Sequence, residues 1–514
     1  MSLRVTVIGA GVGGLVCAAL LAAQGHDVLL LEKADSPGGK LREVLAGGQP
    51  MDAGPTVFTL RAVFDELFEQ LGQRLDDHLH LEPASVLARH AWDAEQHLDL
   101  HADFEASLDA IGHFAGAAEA RGYRRFCQRA RRIHDTLLQP FMRSQRPGVL
   151  GLAARVAWQG LPGLARISPF GSLASALAGH FRDERLRQLF GRYATYCGSS
   201  PWLAPATLML VAHVERSGVW YVDGGMHRLA QVLAALATRA GARLRYGATV
   251  QEVLVQGGRA CGVRLATGER VAADAVVFNG DVGALAAGHL GAAVREAAGP
   301  GAPTRPQRSL SAVTWNAVAS CRGFPLLRHN VFFSADYRAE FNDLQAGRLP
   351  REPTAYLCAQ DRRDSPRTVH GGPERLLLLV NAPPDGDGDS RALRPEEIER
   401  CRQTTFQRLA RCGLMLKPES AMVTTTPTDF EAMFPGTGGA LYGPASHGWQ
   451  ASFRRSGAAS RLPGLYLAGG STHPGPGVPM AALSGRLAAQ RVTADLASMR
   501  RHHPVVMPGG TSMR

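Results

Sequence analysis

The sequence predicts an α/β protein in which a parallel-sheet domain is assembled from separated segments, with a mixed α+β domain inserted between them. Three observations predict it. Residues 4–8 (RVTVI) and 28–32 (VLLLE) are unalternating apolar strands, joined by a small-residue helical pattern from Gly14 to Gln24. That is a βαβ unit of a sheet covered on both faces. Alternating strands return at 243–246, 249–256 and 260–266 and lead into the apolar run 275–279 (AVVFN). Near the C-terminus the strand-like run Gly464–Ala468 precedes a Gly- and Pro-rich loop and a helical pattern from Ala481 onward. We therefore expect residues 1–70, 225–290 and 455–499 to form the first domain, 71–224 and 291–454 the second, and 500–514 a basic flexible tail. Residues 60–224 read as mostly helical, and 300–450 as mixed and rich in turns.

At 514 residues the chain exceeds one ordinary core, and 45% apolar with 20% charged residues describes a globular protein. The formal charge is +11, and only three of the 56 Lys and Arg residues are lysine. Arginines concentrate at Arg121, Arg124, Arg125, Arg129, Arg131 and Arg132, and at Arg500 and Arg501 beside His502 and His503. Such clusters suit an acidic membrane surface, and no nucleic-acid-binding motif accompanies them. The eight Cys are scattered without a CxxC pair, and no His is clustered at ligand spacing. This argues against a disulfide framework or a metal site and suits a reducing cytoplasm. The N-terminal apolar run, broken by glycines, reads as strand–turn–helix rather than a signal peptide. The mostly apolar stretch 149–181 reads equally as an interfacial segment or as a buried helical layer.

The glycines carry the first chemical statement. Gly9, Gly11 and Gly14 form GxGxxG after a strand and at the start of a helix, and Glu32 follows 18 residues on, at the end of the second strand. The glycines permit a tight turn, close approach of a pyrophosphate, and close packing of helix on strand. Phosphates favour the helix N-terminus, and Glu32 accepts from ribose hydroxyls. This is a Rossmann-type dinucleotide site. The loop 469–480 (GGSTHPGPGVPM) holds four glycines and three prolines in twelve residues, so it is neither regular helix nor regular strand.

Together with Pro37-Gly38-Gly39-Lys40 and Asp52-Ala53-Gly54-Pro55-Thr56, these motifs resemble the FAD-containing amine oxidase and phytoene desaturase superfamily. The resemblance implies a Rossmann-type FAD-binding domain, with the adenosine on the N-terminal fingerprint and the isoalloxazine near the C-terminal loop. Gly39 and Lys40 would lie along the diphosphate and ribityl chain, Gly54 and Pro55 near the ring, and the Val250 backbone at the adenine. Amine oxidases of the superfamily usually carry an acidic residue where Gly470 stands, after Ala468-Gly469. That departure is similar to the bacterial-type carotenoid desaturases. With no Cys in the loop, FAD is expected to be bound non-covalently. Gly469, Gly470, Gly477, Val478, Pro479 and Met480 are expected to form the floor of the flavin, with the following helix aimed at its O2/N1 edge.

The stretches Arg192–Pro201, Ala204–Thr207 and Val219–Met226, the pair His329-Asn330, and Met480 in place of the glycine common in phytoene desaturases resemble the 1-hydroxycarotenoid 3,4-desaturases. The implied reaction is hydride loss from the allylic C4 to flavin N5, then proton loss from C3. It needs no metal and no strong nucleophile. The implied substrate is a lipophilic carotenoid, the acceptor oxygen or quinone, and the location cytoplasmic and peripheral to the inner membrane. Other regiochemistry, cis–trans isomerisation, amine oxidation and a non-catalytic carrier are the competing readings. His329-Asn330 reads as a turn ahead of a strand with the imidazole satisfied by backbone, and His473 as a brace for its loop. A buried polar group meeting the substrate hydroxyl is expected, but no residue is singled out by pattern.

Overall fold

The computed structural model describes residues 2–148, 151–152, 171–297, 304, 307–363, 372–388 and 392–502. At its centre lies a five-stranded, all-parallel sheet in the order Arg243–Arg245, Asp27–Leu31, Arg4–Ile8, Ala275–Phe278, Leu465–Leu467. Its strands thus come from three widely separated stretches of sequence. Val5, Val7, Val28, Leu30 and Val277 are almost wholly buried, as unalternating parallel strands require. The helix Val12–Ala23 packs against His227–Arg239 on one side and the C-terminal helix Val478–His502 on the other. A three-stranded antiparallel sheet (Val250–Gln256, Arg259–Leu265, Arg270–Ala272) is inserted ahead of Ala275–Phe278.

A second, mixed sheet runs Leu414–Pro418, Ser311–Gly323, Glu374–Ala382, Ala355–Ala359, His329–Phe332, Val86–Ala91, His97–His101, with Val423–Thr425 also paired to Ser311–Gly323. His329–Phe332 and Val86–Ala91 pair in parallel, and the other pairs are antiparallel. One face covers a core around Trp315, Phe332 and Leu378. The neighbouring helical layer stacks Phe126, Phe181 and Phe190 at centroid spacings of 4.8–5.6 Å. Residues 60–224 are therefore less helical than expected, because Val86–Ala91, His97–His101 and Val219–Val222 are strands. One of these, Val86–Ala91, pairs with a strand more than two hundred residues away, and Val219–Val222 pairs with strands more than a hundred residues before it.

The arginine-rich helix is Ala117–Leu137. It buries Tyr123, Phe126, Cys127, Ala130 and Ile133 and exposes Arg121, Arg124, Arg125, Arg131 and Arg132. Of the apolar stretch 149–181, residues 149–150 and 153–170 lie outside the described residues. Of its end, Leu173, Leu177 and Phe181 are buried in the aromatic layer. The helix Val478–His502 runs into the expected tail, and residues 503–514 lie outside the described residues. Among the described residues, no helix is long and apolar enough to cross a membrane.

Candidate cofactor site

The fingerprint turn closes on a residue the motif does not contain. Gly9 has φ +98°, and its carbonyl accepts from Nδ2 of Asn279 at 3.1 Å. Asn279 ends the run AVVFN, immediately after the strand Ala275–Phe278. A Cβ on Gly11, Gly13 or Gly469 would come within 2.7–2.9 Å of its amide. A Cβ on Gly14 would come within 2.1 Å of the Gly9 carbonyl oxygen. Three of these glycines thus make room for Asn279 and one for the turn itself, which leaves the crevice wall as backbone. Nothing in the sequence pattern marks this asparagine beyond its place at a strand end beside the fingerprint.

Glu32 is buried. Its Oε2 accepts from Ala10 N at 2.6 Å and its Oε1 from Ala34 N at 2.9 Å. Its own backbone bonds to Arg245 O and Ala248 N, which brings the start of the strand at Val250 to the same end of the sheet. Gly38 N donates to Ala10 O, and the Gly39 site lies against Gly11, its would-be Cβ 3.4 Å from Gly11 Cα. Gly9, Gly11, Gly14, Glu32, Gly39 and Val250 are therefore gathered around one crevice.

Lys40 continues from that crevice. Its Nζ donates to Leu441 O at 2.7 Å and to Ala440 O at 3.4 Å. Burial pushes its ammonium below the usual lysine range, Asp281 opposes this, and Arg455 adds to it. A buried Oδ2 of Asp281 has no partner. Gly54 is held close, because a Cβ there would meet Lys40 O at 2.0 Å. Asp52, two residues earlier, accepts from Met226 N at 2.7 Å and His227 N at 3.0 Å, and so caps the helix His227–Arg239 from afar. Burial raises the Asp52 carboxyl and these two backbone bonds lower it. Pro55 leads to Thr56, whose Oγ1 lies 2.6 Å from Tyr356 Oη.

The terminal loop sits on the same crevice. Gly469 has φ +107° and its carbonyl accepts from Thr472 Oγ1, which also bonds Ser484 Oγ on the C-terminal helix. At Gly470, where no carboxylate is available, the carbonyl accepts from Arg455 Nη1 at 3.4 Å. The same buried guanidinium reaches Tyr442 O, Ser471 O and Pro444 O. Arg455 was not legible in the sequence, and it ties the loop to the 442–444 segment. Gly477 has φ +114°, and Val478, Pro479 and Met480 open the helix Val478–His502. Met480 touches both the core of the parallel-sheet domain and the aromatic layer.

His473 accordingly braces its loop, with Nε2 2.9 Å from both Phe141 O and Ser144 O. Burial pushes its pKa down to about 4. His329 departs from expectation. It lies within a strand rather than a turn, because it pairs with Cys358 of the antiparallel strand Ala355–Ala359, and its Nδ1 bonds Tyr356 Oη at 2.7 Å rather than backbone. Burial, with Arg328 and Arg192 nearby, pushes its pKa to about 3, so its ring is neutral. Although the sequence shows no clustered ligands, the fold brings His134, Asp135 and His213 within 4.8 Å of one another. Arg131 pairs with Asp135 there, and this helical-layer cluster is assigned no role.

The donor set suits a dinucleotide with a flavin end. A glycine-walled crevice meets a helix N-terminus, a buried carboxylate lies beside it at the end of the second strand, and an unpartnered Asp281 oxygen lies near Lys40. Among known proteins, the family of flavin containing amine oxidoreductases matches residues 12–493. A hydroxyneurosporene desaturase of Rubrivivax gelatinosus is 54% identical over 99% of this chain and 97% of its own length. A hydroxyneurosporene desaturase of Cereibacter sphaeroides is 48% identical over 97% of this chain and 99% of its own. A solved putrescine oxidase triple mutant, 15% identical, superposes with a TM-score of 0.60 over 97% of this chain and 99% of that one, a likeness of fold alone.

Proposed function

Because the chain belongs to the flavin containing amine oxidoreductases, and within them to the carotenoid desaturases, we propose that it introduces the C3–C4 double bond into acyclic 1-hydroxy- or 1-methoxy-carotenoids. It is a flavin-dependent oxidoreductase. The reading rests above all on its end-to-end likeness to a hydroxyneurosporene desaturase. The expected flavin is FAD, since a buried Glu32 beside the fingerprint suits an adenosine ribose. Non-covalent binding is supported by the absence of Cys from residues 469–480.

When bound, the flavin supplies the hydride acceptor. The chain's own part is positional. Gly9, Gly11, Gly14 and Gly39 shape the crevice, Lys40 and Asp281 set the charge along it, and Gly469 to Met480 place a helix N-terminus at its inner end. Met480 and Tyr356 pack against the aromatic layer and Thr56 bonds Tyr356, so these residues would line a substrate passage from that end. The His329 ring is neutral and brings no positive charge to this passage. Positive charge left on the substrate spreads along its polyene, so no anionic side chain need face it. Arg121, Arg124, Arg125, Arg131 and Arg132 form the face expected to meet an acidic membrane at its cytoplasmic side, from which a lipid-dissolved substrate enters.

The test is anaerobic addition of 1-hydroxyneurosporene in liposomes to the purified holoprotein. Flavin bleaching with a lengthened polyene is expected. Bleaching by phytoene alone would move the reading to another bond. Isomerisation that requires pre-reduced flavin would overturn desaturation.

A further inference from the structure

An enzyme that prefers carotenoids oxygenated at C1 needs a group to meet that oxygen, and the group must sit near the inner end of the cofactor crevice. Arg192 opens the tight helical turn Arg192–Cys197. Its guanidinium carbon lies 5.2 Å from the Tyr196 ring centre and 5.3 Å from that of Tyr356. Nη1 donates to Tyr196 Oη at 3.0 Å. Among the described residues no carboxylate is within ion-pair distance of Arg192. Its Nε and Nη2 have no partner there, yet neither is sealed off from space. Glu215 balances the charge at one remove, accepting from Tyr196 Oη at 3.4 Å and from Tyr193.

Arg192 is partly buried among aromatic rings, and its free N–H groups retain open surface there. Tyr196, Tyr356 and Tyr442 share that character. Two contacts link this cluster to the cofactor site. Tyr442 follows Leu441, the carbonyl that holds Lys40, and its own carbonyl is bound by Arg455. Tyr356 Oη reaches Thr56, which follows Gly54 and Pro55. An unpaired guanidinium in such a position is costly unless an oxygen meets it. Aromatic walls with one fixed donor set suit a hydrocarbon chain that carries a single oxygen near its end.

We propose that Arg192 donates from Nε or Nη2 to the oxygen at C1 of the carotenoid and so sets the preference for chains oxygenated there. The inference rests on the desaturase reading above. C1 is two bonds from C3, so an oxygen held by Arg192 fixes the position of the reacting bond along the passage. A guanidinium has donors only. It therefore accepts an alcohol and a methyl ether alike and leaves its donors unmet by a chain with a bare olefinic end. Tyr196 and Tyr356 hold the guanidinium in place.

The test compares kcat/KM of the holoenzyme for the 1-hydroxy carotenoid, its 1-methoxy ether and the same carotenoid without oxygen at C1, all in identical vesicles. The wild type is expected to use alcohol and ether within about threefold of each other and the bare chain at least about tenfold more slowly. Arg192→Met is expected to lower kcat/KM for both oxygenated substrates by about ten- to a hundredfold, leave the bare chain unchanged and keep the flavin spectrum. Arg192→Lys, which keeps a donor, is expected to recover part of the loss. An equal fall with all three substrates, or a shifted flavin potential, would assign Arg192 to the cofactor or the fold and overturn the proposal. Should Arg192→Met lose its flavin, the Lys variant and the wild-type comparison decide, and rejection of the ether by the wild type also overturns it. Failure of the desaturase reading looks different: no carotenoid reduces the wild-type flavin.

Discussion

Gly14→Ala places a methyl group 2.1 Å from the Gly9 carbonyl oxygen and 2.9 Å from Asn279 Nδ2. The first distance is about 1.4 Å short of ordinary contact. The carbonyl cannot swing aside, because Gly9 N is held by Leu31 O at 2.8 Å and its oxygen by Asn279 at 3.1 Å. The helix Val12–Ala23 must lift from the sheet, and its N-terminus leaves the crevice. Overpacking of this kind costs about 1–3 kcal/mol, and a lost Asn279 bond adds about 1 kcal/mol. Better helix propensity returns about 1 kcal/mol. A net loss of about 1–3 kcal/mol on the binding turn raises the flavin Kd about ten- to a hundredfold. Titration of deflavinated protein with FAD, followed by fluorescence quenching, reads this directly. Gly112→Ala is the control. In the helix Phe104–Ala115 its new methyl meets nothing closer than Ala120 Cβ at 3.7 Å, so it should stabilise by about 0.5–1 kcal/mol. An unchanged Kd in Gly14→Ala would refute the packing argument.

At Gly477 the neighbourhood is open, with Met480 Cγ at 3.9 Å, so Gly477→Val tests backbone conformation alone. Holding a branched residue at φ +114° costs about 1–3 kcal/mol, and the flavin-to-protein ratio should fall; full occupancy with full activity would sink the assignment of this loop. Arg455→Met strips donors from four carbonyls and should cost at least about 3 kcal/mol in thermal unfolding, with flavin released before the global transition. His473 is depressed to about 4 when folded, so its contribution to stability is complete above its ordinary pKa of 6.5 and is lost as pH falls from there toward 4. His473→Gln should flatten the acid limb of a stability–pH profile, and an unaltered slope would assign that limb to other groups.

The parallel sheet was legible because its strands are continuous apolar runs and its turn residues have single physical uses. Val5, Val7, Val28 and Leu30 are buried on one face and Ile8, Leu31, Val276 and Phe278 on the other, as a covered parallel sheet asks. The mixed sheet was less legible. Val86–Ala91 contains Arg89 and His90, both buried, and Arg89 is tolerated only because Asp99 on the neighbouring strand pairs with it at 2.7 Å. Such a strand has no apolar period to read until its partner is known. The cofactor crevice was legible as a set of glycines, but the reason for three of them, Asn279, comes from a different strand. Arg455 carries no pattern among so many arginines, and Arg192 stands out only as the start of a family stretch, with nothing there to mark its role. Their roles depend on burial and on which partners they lack, and those follow only from tertiary contact.

The parallel sheet also sets a schedule. Its central strand, Arg4–Ile8, is made long before Ala275–Phe278, which pairs along one side of it, and that strand waits in turn for Leu465–Leu467. At roughly 5–20 residues per second, a ribosome needs on the order of half a minute to a minute and a half between the first of these strands and the last. Through that interval the apolar faces of the N-terminal strand and helix have no final cover. The loop that completes the crevice is made after all five of these strands. The crevice can therefore close on a cofactor only once its most distant pieces in the sequence, Arg4–Ile8 and the loop after Leu465–Leu467, are both in place.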